Sequence, residues 1–298
     1  MLVIYRAKTA NLVTRQAWER AAGIFQTGLF QSYDWGKLME ELPNTSFHPV
    51  KLTSDGGQVI YVPVFEQNGL LSGNMIGYGG VISDRPISFK WLQGEIKALF
   101  GQKLSRILLP HGQTSFIEET GEQWAEKATH ILPLPDTFEE LWTNCSGKAR
   151  TAVRYAEKKN VSVRLIGQES LSEFYELYKA HTAAIGAAYM LSQDFFQKLL
   201  ESLGRQVFWA GAFLENEMIS SSIFLYDHSH FYYWQNVNSP AGKETQASYL
   251  LMRNALSFAI GKKLQWVDFG YSHSKEIARP KRYWGAEEKR CRHFTEAE

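Results

Sequence analysis

QVFWAGAFLENEMISSSIFLYDHSHFYYWQNVNSPAGKETQASYLLMRNALSFAIGKKLQWVDFG (206–270) is the stretch that decides the fold. Three runs in it, QVFWAGAFL (206–214), MISSSIFLY (218–226) and HFYYWQNV (230–237), are rich in β-branched and aromatic residues. The links ENE and DHS are too short for a crossover, so the three predict an antiparallel meander. After the loop NSPAGKE, TQASYLLMRNALSFAI (245–260) predicts a helix closed by Gly261, and the strand LQWVDFG (264–270) follows at once. Helices, three antiparallel strands, a helix and a strand make an α+β unit rather than a dinucleotide-binding βαβ series. No phosphate-binding P-loop and no GxGxxG motif occurs.

Upstream of the meander, a helix from Ser192 points Phe195, Phe196, Leu199, Leu200 and Leu203 inward and stops at Gly204. Ser170 with Glu173 reads as a capping box opening another helix, with Leu171, Phe174, Leu177 and Tyr178 on its apolar side. A third helix, over 146–160, carries Arg150, Arg154 and Lys158 at i, i+4 and i+8, where like charges repel. Towards the N-terminus, QVIYVPVF (58–65) alternates as a strand that Pro63 demotes to an edge or a bulge. The turn GYGG (77–80) and strands LSRILLP (104–110) and THILPLP (129–135) follow, and Asp136 or Thr137 caps a short helix. The pattern changes near residue 145, and 298 residues suit two domains, 1–145 and 146–298.

Hydrophobic residues at 44% and charged residues at 21% place the chain among globular proteins. Its start, MLVIYRAKTA, has neither an apolar leader core nor a cleavage site, and no apolar run reaches spanning length, so the expectation is a cytoplasmic protein. Cys145 and Cys291 lie far apart without metal-ligand spacing, so neither a disulfide framework nor a metal site is expected. The net charge of +1 hides two basic stretches. Residues 146–164 set Lys148, Arg150, Arg154, Lys158, Lys159 and Arg164 against Glu157. Residues 275–292 set Lys275, Arg279, Lys281, Arg282, Lys289, Arg290 and Arg292 against three glutamates. Local positive fields on an acidic body suit a phosphate-bearing ligand better than long nucleic acid; solvated helix faces are the plainer reading.

The order of elements and several strings resemble the Fem family of non-ribosomal peptidyl transferases. The strings are QSYDW (31–35), YVPVF followed by YGGVISDRP (78–86), THILPLPDTFEELWTNCSGKARTAVRYAEKKNVSV (129–163), FYELYKAHT (174–182), the region 247–270, and RPKRYWGA (279–286). The resemblance covers nearly the whole chain and rests on the order and spacing of the strings together. It implies two tandem GNAT-like acyltransferase domains with mixed, largely antiparallel sheets. It also implies transfer of an acyl group, typically aminoacyl from charged tRNA, onto an amine of a peptidoglycan or other envelope precursor. Direct transfer needs a free amine, oxyanion stabilisation and phosphate clamps, and no covalent nucleophile. No nucleophile elbow is present. No cofactor is implied: aminoacyl-tRNA or acyl-CoA enters as a substrate. A CoA- or carrier-dependent N-acyltransferase acting on a sugar amine or small molecule, and an inert binding module, are the alternatives. The acyl group, donor, acceptor and oligomeric state stay open.

By the same resemblance Lys281, followed by Trp284 and Gly285, matches a lysine that contacts the donor's phosphate end; read alone it is a solvated lysine at a strand end. The residue before it is Pro280, where the family usually has an aromatic. Arg279 and Arg282 share its cluster. Asp84 matches an aspartate near the attacking amine and alone reads as a turn residue. Tyr78 is expected in the same cleft. Arg150 and Arg154 match an arginine-bearing helix able to grip a diphosphate, with an ion pair as the equal alternative. Tyr233 and Trp234 offer a stacking surface or plain core. The segment AGKETQ (241–246) stands where CoA-dependent GNAT enzymes cradle a pyrophosphate, with one glycine only. Lys37 stands near, but out of register with, a lysine the family uses for the acceptor's diphosphate, and Ile185 replaces another family arginine.

Overall fold

The computed structural model describes residues 12–25, 27–54, 56–111, 117–118, 124–272 and 274–296; the leader expectation on residues 1–10 lies outside them. In chain order the elements are α1 (Arg15–Phe25), α2 (Tyr33–Met39), β1 (Thr45–Thr53), β2 (Val59–Gln67), β3 (Leu70–Ser72), β4 (Ile87–Ser88), α3 (Phe89–Phe100), β5 (Leu104–Leu109), β6 (Ile117–Glu118) and β7 (Trp124–Pro133). Then come α4 (Phe138–Asn144), α5 (Gly147–Lys158), β8 (Ser162–Leu165), α6 (Leu171–Ala184), α7 (Gln193–Leu203), β9 (Val207–Leu214), β10 (Glu217–Tyr226) and β11 (His230–Asn238). The last are α8 (Pro240–Glu244), α9 (Ala247–Gly261), β12 (Trp266–Tyr271), α10 (Lys275–Tyr283) and β13 (Glu287–Thr295). The chain is α+β with mixed, largely antiparallel strand pairing, as the sequence predicts.

Two compact units form, one from residues 1–127 with 290–298 and one from 128–289, so the division falls before residue 128 and not near 145. The reason is long-range pairing. Thr129, Ile131, Leu132 and Pro133 of β7 pair with Tyr271, Asp268, Val267 and Trp266 of β12, and Leu141 of α4 joins the core of the second unit. A composition shift cannot reveal partners that far apart in sequence.

In the first unit β1 and β2 form a long antiparallel hairpin, β3 extends it, and β5 pairs parallel to β3 and antiparallel to β13. Pro63 sits inside β2, facing Pro49. On its other side it falls between the Tyr61–Ile82 bridge and the start of the β3 pairing, so its missing N–H leaves no gap in a ladder. Alternate residues Val50, Leu52, Ile60, Val62 and Val64 bury against Phe89, Leu92, Ile96 and Leu99 of α3.

In the second unit the strand order is β7-β12-β11-β10-β9-β8, antiparallel except for β11 with β12. One face carries α5 and α9, whose Ala149, Ala156, Ala247, Ala255 and Ala259 are all fully buried with Phe208, Phe224 and Phe231. The other carries α6 and α7, with Phe174 edge-on to Trp209 and to Phe196, and Tyr178 edge-on to Phe196. Thr137, one of the two expected candidates, caps α4, and Ser146 and Ser192 cap α5 and α7.

Three expectations fail locally. Ser170, at φ −99° and ψ 3° rather than in the extended conformation of a cap, makes no cap hydrogen bond, and Glu173 Oε1 accepts the Met218 N–H, at 2.8 Å, in place of the Ser170 N–H. NSPAGKE is not a loop: Ser239 accepts the Gly242 N–H and starts α8. Lys281 is not at a strand end but in α10, which includes Pro280 and is capped by Ser274.

Candidate active site

LQWVDFG forms β12 because its apolar residues suit a strand covered on both faces, yet it places a carboxylate in that strand. Asp268 is 3% exposed, and its Oδ1 accepts the Thr129 hydroxyl at 2.8 Å and the Gly270 N–H at 2.7 Å. Between Asp268 and Tyr271 the register with β7 slips, and Gly270 takes φ +71°, which favours glycine. Lys281 reaches this bulge from α10. Its Nζ donates to the carbonyls of Gly270 at 2.8 Å and Tyr271 at 3.2 Å, and the residue is 8% exposed. Burial pulls its ammonium down to about 8, with Asp268 opposing. His130 of β7 is wholly buried beside them. Its Nδ1 lies 3.3 Å from Ser272 Oγ, its Nε2 has no hydrogen-bond partner, and burial, then Lys281 and Arg282, hold its pKa below the ordinary value.

The bulge stands where two parallel strands stop pairing. Among the described residues β11 pairs with β12 only through His230–Trp266, Phe231–Val267 and Tyr232–Asp268. Trp234 is the extra residue where β11 bulges against β10. Tyr233, next to this break, stacks on Phe224 with centroids 4.9 Å apart and meets Phe269 edge-on at 6.2 Å. Burial raises its phenol well above the ordinary value, against a hydrogen bond to Ser222. Trp234 lies on the opposite face against Phe195 and Phe196. Beyond Tyr233, on the α9 face, Asn236 Nδ2 donates to Ser222 Oγ at 2.9 Å, Asn238 Nδ2 to Asn236 Oδ1 at 2.7 Å, and Ser248 Oγ to Asn238 Oδ1 at 2.7 Å. Tyr249 feels Tyr233, Tyr283 and Arg279 electrostatically, which brings Arg279 into this neighbourhood.

The segment 241–246 is closed as an anion cradle. The amides of Gly242, Lys243, Thr245 and Gln246 donate to Ser239 Oγ, Ser239 O, Ala241 O and Lys243 O. A Cβ on Gly242 would lie 2.2 Å from the Ile219 carbonyl, so this backbone is seated on β10, and Ala247 at the start of α9 is fully buried.

Other expected site residues lie elsewhere. Arg150 Nη1 donates to the carbonyls of Trp142, Thr143 and Cys145, capping the end of α4, a contact that neither sequence expectation contained. Arg154 is exposed on α5; Arg282 is exposed and pairs with Glu288 at 3.4 Å. In the first unit the strings QSYDW and YGG do converge: Gln31 Nε2 donates to the Gly79 carbonyl at 2.6 Å, and Phe30 meets buried Tyr78 edge-on at 5.6 Å. Asp84 is exposed and pairs with Arg85 at 3.6 Å, and Lys37 pairs with Glu40. Sequence reasoning passed over Thr129, His130 and Asp268. The available signal was a histidine in THILPLP and an aspartate in LQWVDFG, each inside an apolar strand.

Residues 143–276 match the acetyltransferase (GNAT) domain family. No curated protein matches the chain in sequence. In structure it is similar to FemX, with TM-score 0.64, 13% identity, and 94% of this chain and 96% of that one covered. It is also similar to the C-terminal domain of a lysylphosphatidylglycerol synthetase from Agrobacterium fabrum, with TM-score 0.60, 8% identity and coverage of 96% and 93%. L-PGS from Bacillus licheniformis gives TM-score 0.56, 8% identity and coverage of 95% and 92%. Residues 143–276 thus resemble an acetyltransferase (GNAT) domain, and the chain as a whole has a Fem-like, GNAT-related fold.

Proposed function

We propose that the chain is an aminoacyltransferase of the Fem type, joining an activated acyl group to the amine of an envelope precursor. The amine nitrogen attacks the ester carbonyl, the C–N bond forms, the C–O bond breaks, and the proton lost by the amine goes to the leaving alcohol. The attack is direct, with no acyl-enzyme. Cys145 and Cys291 suit that reading, because both are buried and burial raises the Cys145 thiol, away from nucleophilic form. The break between β11 and β12, with Tyr233 beside it and Arg279 near, is the place we assign to the reacting groups.

The observation that carries the choice of donor is the closed segment 241–246. The amides of Gly242, Lys243, Thr245 and Gln246 are satisfied within the chain, so these four offer nothing to a CoA diphosphate ahead of α9. That favours an aminoacyl ester over acyl-CoA. Equilibrium binding on the full chain tests it: a non-hydrolysable aminoacyl-adenosine carrying a 5′-phosphate should raise the melting temperature in a saturable way, and acetyl-CoA should not. A saturable shift with acetyl-CoA at micromolar concentration overturns the choice.

A further inference from the structure

Three backbone groups of β12, all just past its last pair with β11, are held by side chains: the Gly270 N–H by Asp268, and the Gly270 and Tyr271 carbonyls by Lys281. Asp268 is itself fixed by Thr129 on β7, and Ser272, one residue further on, donates its N–H to the Ala128 carbonyl at 2.9 Å. A strand that leaves its ladder exposes polar backbone groups, and a buried one left unsatisfied opposes folding. Both side chains that satisfy them are more than nine-tenths buried. Two of the three ammonium protons of Lys281 are spent on carbonyls, in a direction set by the bulge rather than by solvent.

We infer that Lys281 and Asp268 are positioning residues, which clasp the Gly270 bulge and so hold β12 apart from β11 at the candidate site, and that Lys281 acts through these carbonyls and not on a substrate phosphate. The clasp explains why a lysine stands on the buried side of α10 while its neighbours Arg279 and Arg282 are exposed. It also explains the glycine, since only residue 270 takes a positive φ within the bulge. The inference rests on the acyltransferase reading only for the meaning of the site; its tests need no turnover.

Hydrogen exchange in the ligand-free full chain reads the clasp directly. In Lys281→Met, amides within 268–272 should exchange at least tenfold faster relative to those of β9 and β10 in the same molecule, with turnover falling through kcat more than KM. Unchanged protection of 268–272 overturns the clasp. A second measurement needs no variant. Reductive methylation of the native protein should label Lys281 at least tenfold more slowly than exposed Lys275. Labelling as fast as Lys275 assigns Lys281 to solvent and its ligands and contradicts the inference even if Lys281→Met does not fold. Absence of any transferase activity in the wild type, with both results as expected, rejects the function and leaves the clasp standing.

Discussion

Asp268 and Lys281 grip the same residue from two sides: Asp268 Oδ1 takes the Gly270 N–H at 2.7 Å, and Lys281 Nζ gives to the Gly270 carbonyl at 2.8 Å. The bulge they hold lies at the end of the only parallel pairing among the described residues of the second unit. Removing either partner leaves buried polar groups exposed to apolar surroundings.

Asp268→Ala should therefore destabilise the chain by about 3–5 kcal/mol, the range for stripping one member from a buried charged network. Asp268→Asn retains an acceptor for Thr129 and Gly270 and should cost less, about 1–2 kcal/mol. Urea unfolding followed by tryptophan fluorescence measures both. Equal losses in the two proteins would mean that the charge, and not the hydrogen-bond geometry, is what matters at this position.

The depressed pKa of Lys281 sets a sign for alkaline pH. Its charged form is penalised in the fold, so the penalty is full below about 8 and disappears as pH rises towards the unfolded value of 10.5. Relative to Lys281→Met, the wild type should gain stability between pH 8 and 10.5. On the acid side His130 is held below 6.5 by burial and by Lys281 and Arg282, so folding is opposed as pH falls below 6.5. His181 and His293 are lowered as well, so His130→Asn should flatten part of the acid loss rather than abolish it. Melting temperature against pH reads both limbs.

Arg150 and Arg154, one helical turn apart, should behave differently. Arg150→Ala removes three hydrogen bonds to the carbonyls closing α4 and should cost about 1–2 kcal/mol. Arg154→Ala, on the exposed face, should stay within about 0.5 kcal/mol. Thermal unfolding of the two variants decides it, and equal losses contradict the capping role.

Gly79→Ala tests the convergence in the first unit. A Cβ there would lie 2.2 Å from the Gly73 carbonyl, an approach no side chain tolerates, and Gly79 also binds Gln31 and Leu108 through its backbone. Losses above about 2 kcal/mol are expected, against less than 1 for Gly94→Ala, whose Cβ meets nothing within 4 Å.

The meander, α5, α7 and α9 were legible because each carries its own period and stop signal, and strands β9 to β11 pair with sequence neighbours. The strand β13 was not: EEKRCRHFT shows charge where a strand needs pattern, and it is a strand because β5 supplies its partner. RPKRY hid a helix behind Pro280, although Ser274 caps it and Ala278 and Lys281 share its buried side. For the site, Lys281 was found by resemblance and Tyr233 by the aromatic run of its strand, and the structure then gave both different surroundings. Asp268, Thr129 and His130 come together only through the pairing of β7 with β12, and no local spacing encodes that.

The account turns most directly on where a labelled acyl group goes. With the full chain, tRNA carrying a radiolabelled aminoacyl ester, labelled acetyl-CoA in a parallel reaction, and a UDP-linked muropeptide bearing a free lysyl amine, the label should move from the ester to the amine as a base-stable amide, and neither Cys145→Ser nor Cys291→Ser should slow it by more than about twofold. Transfer from acetyl-CoA with none from the ester, or label recovered on either cysteine, would contradict it.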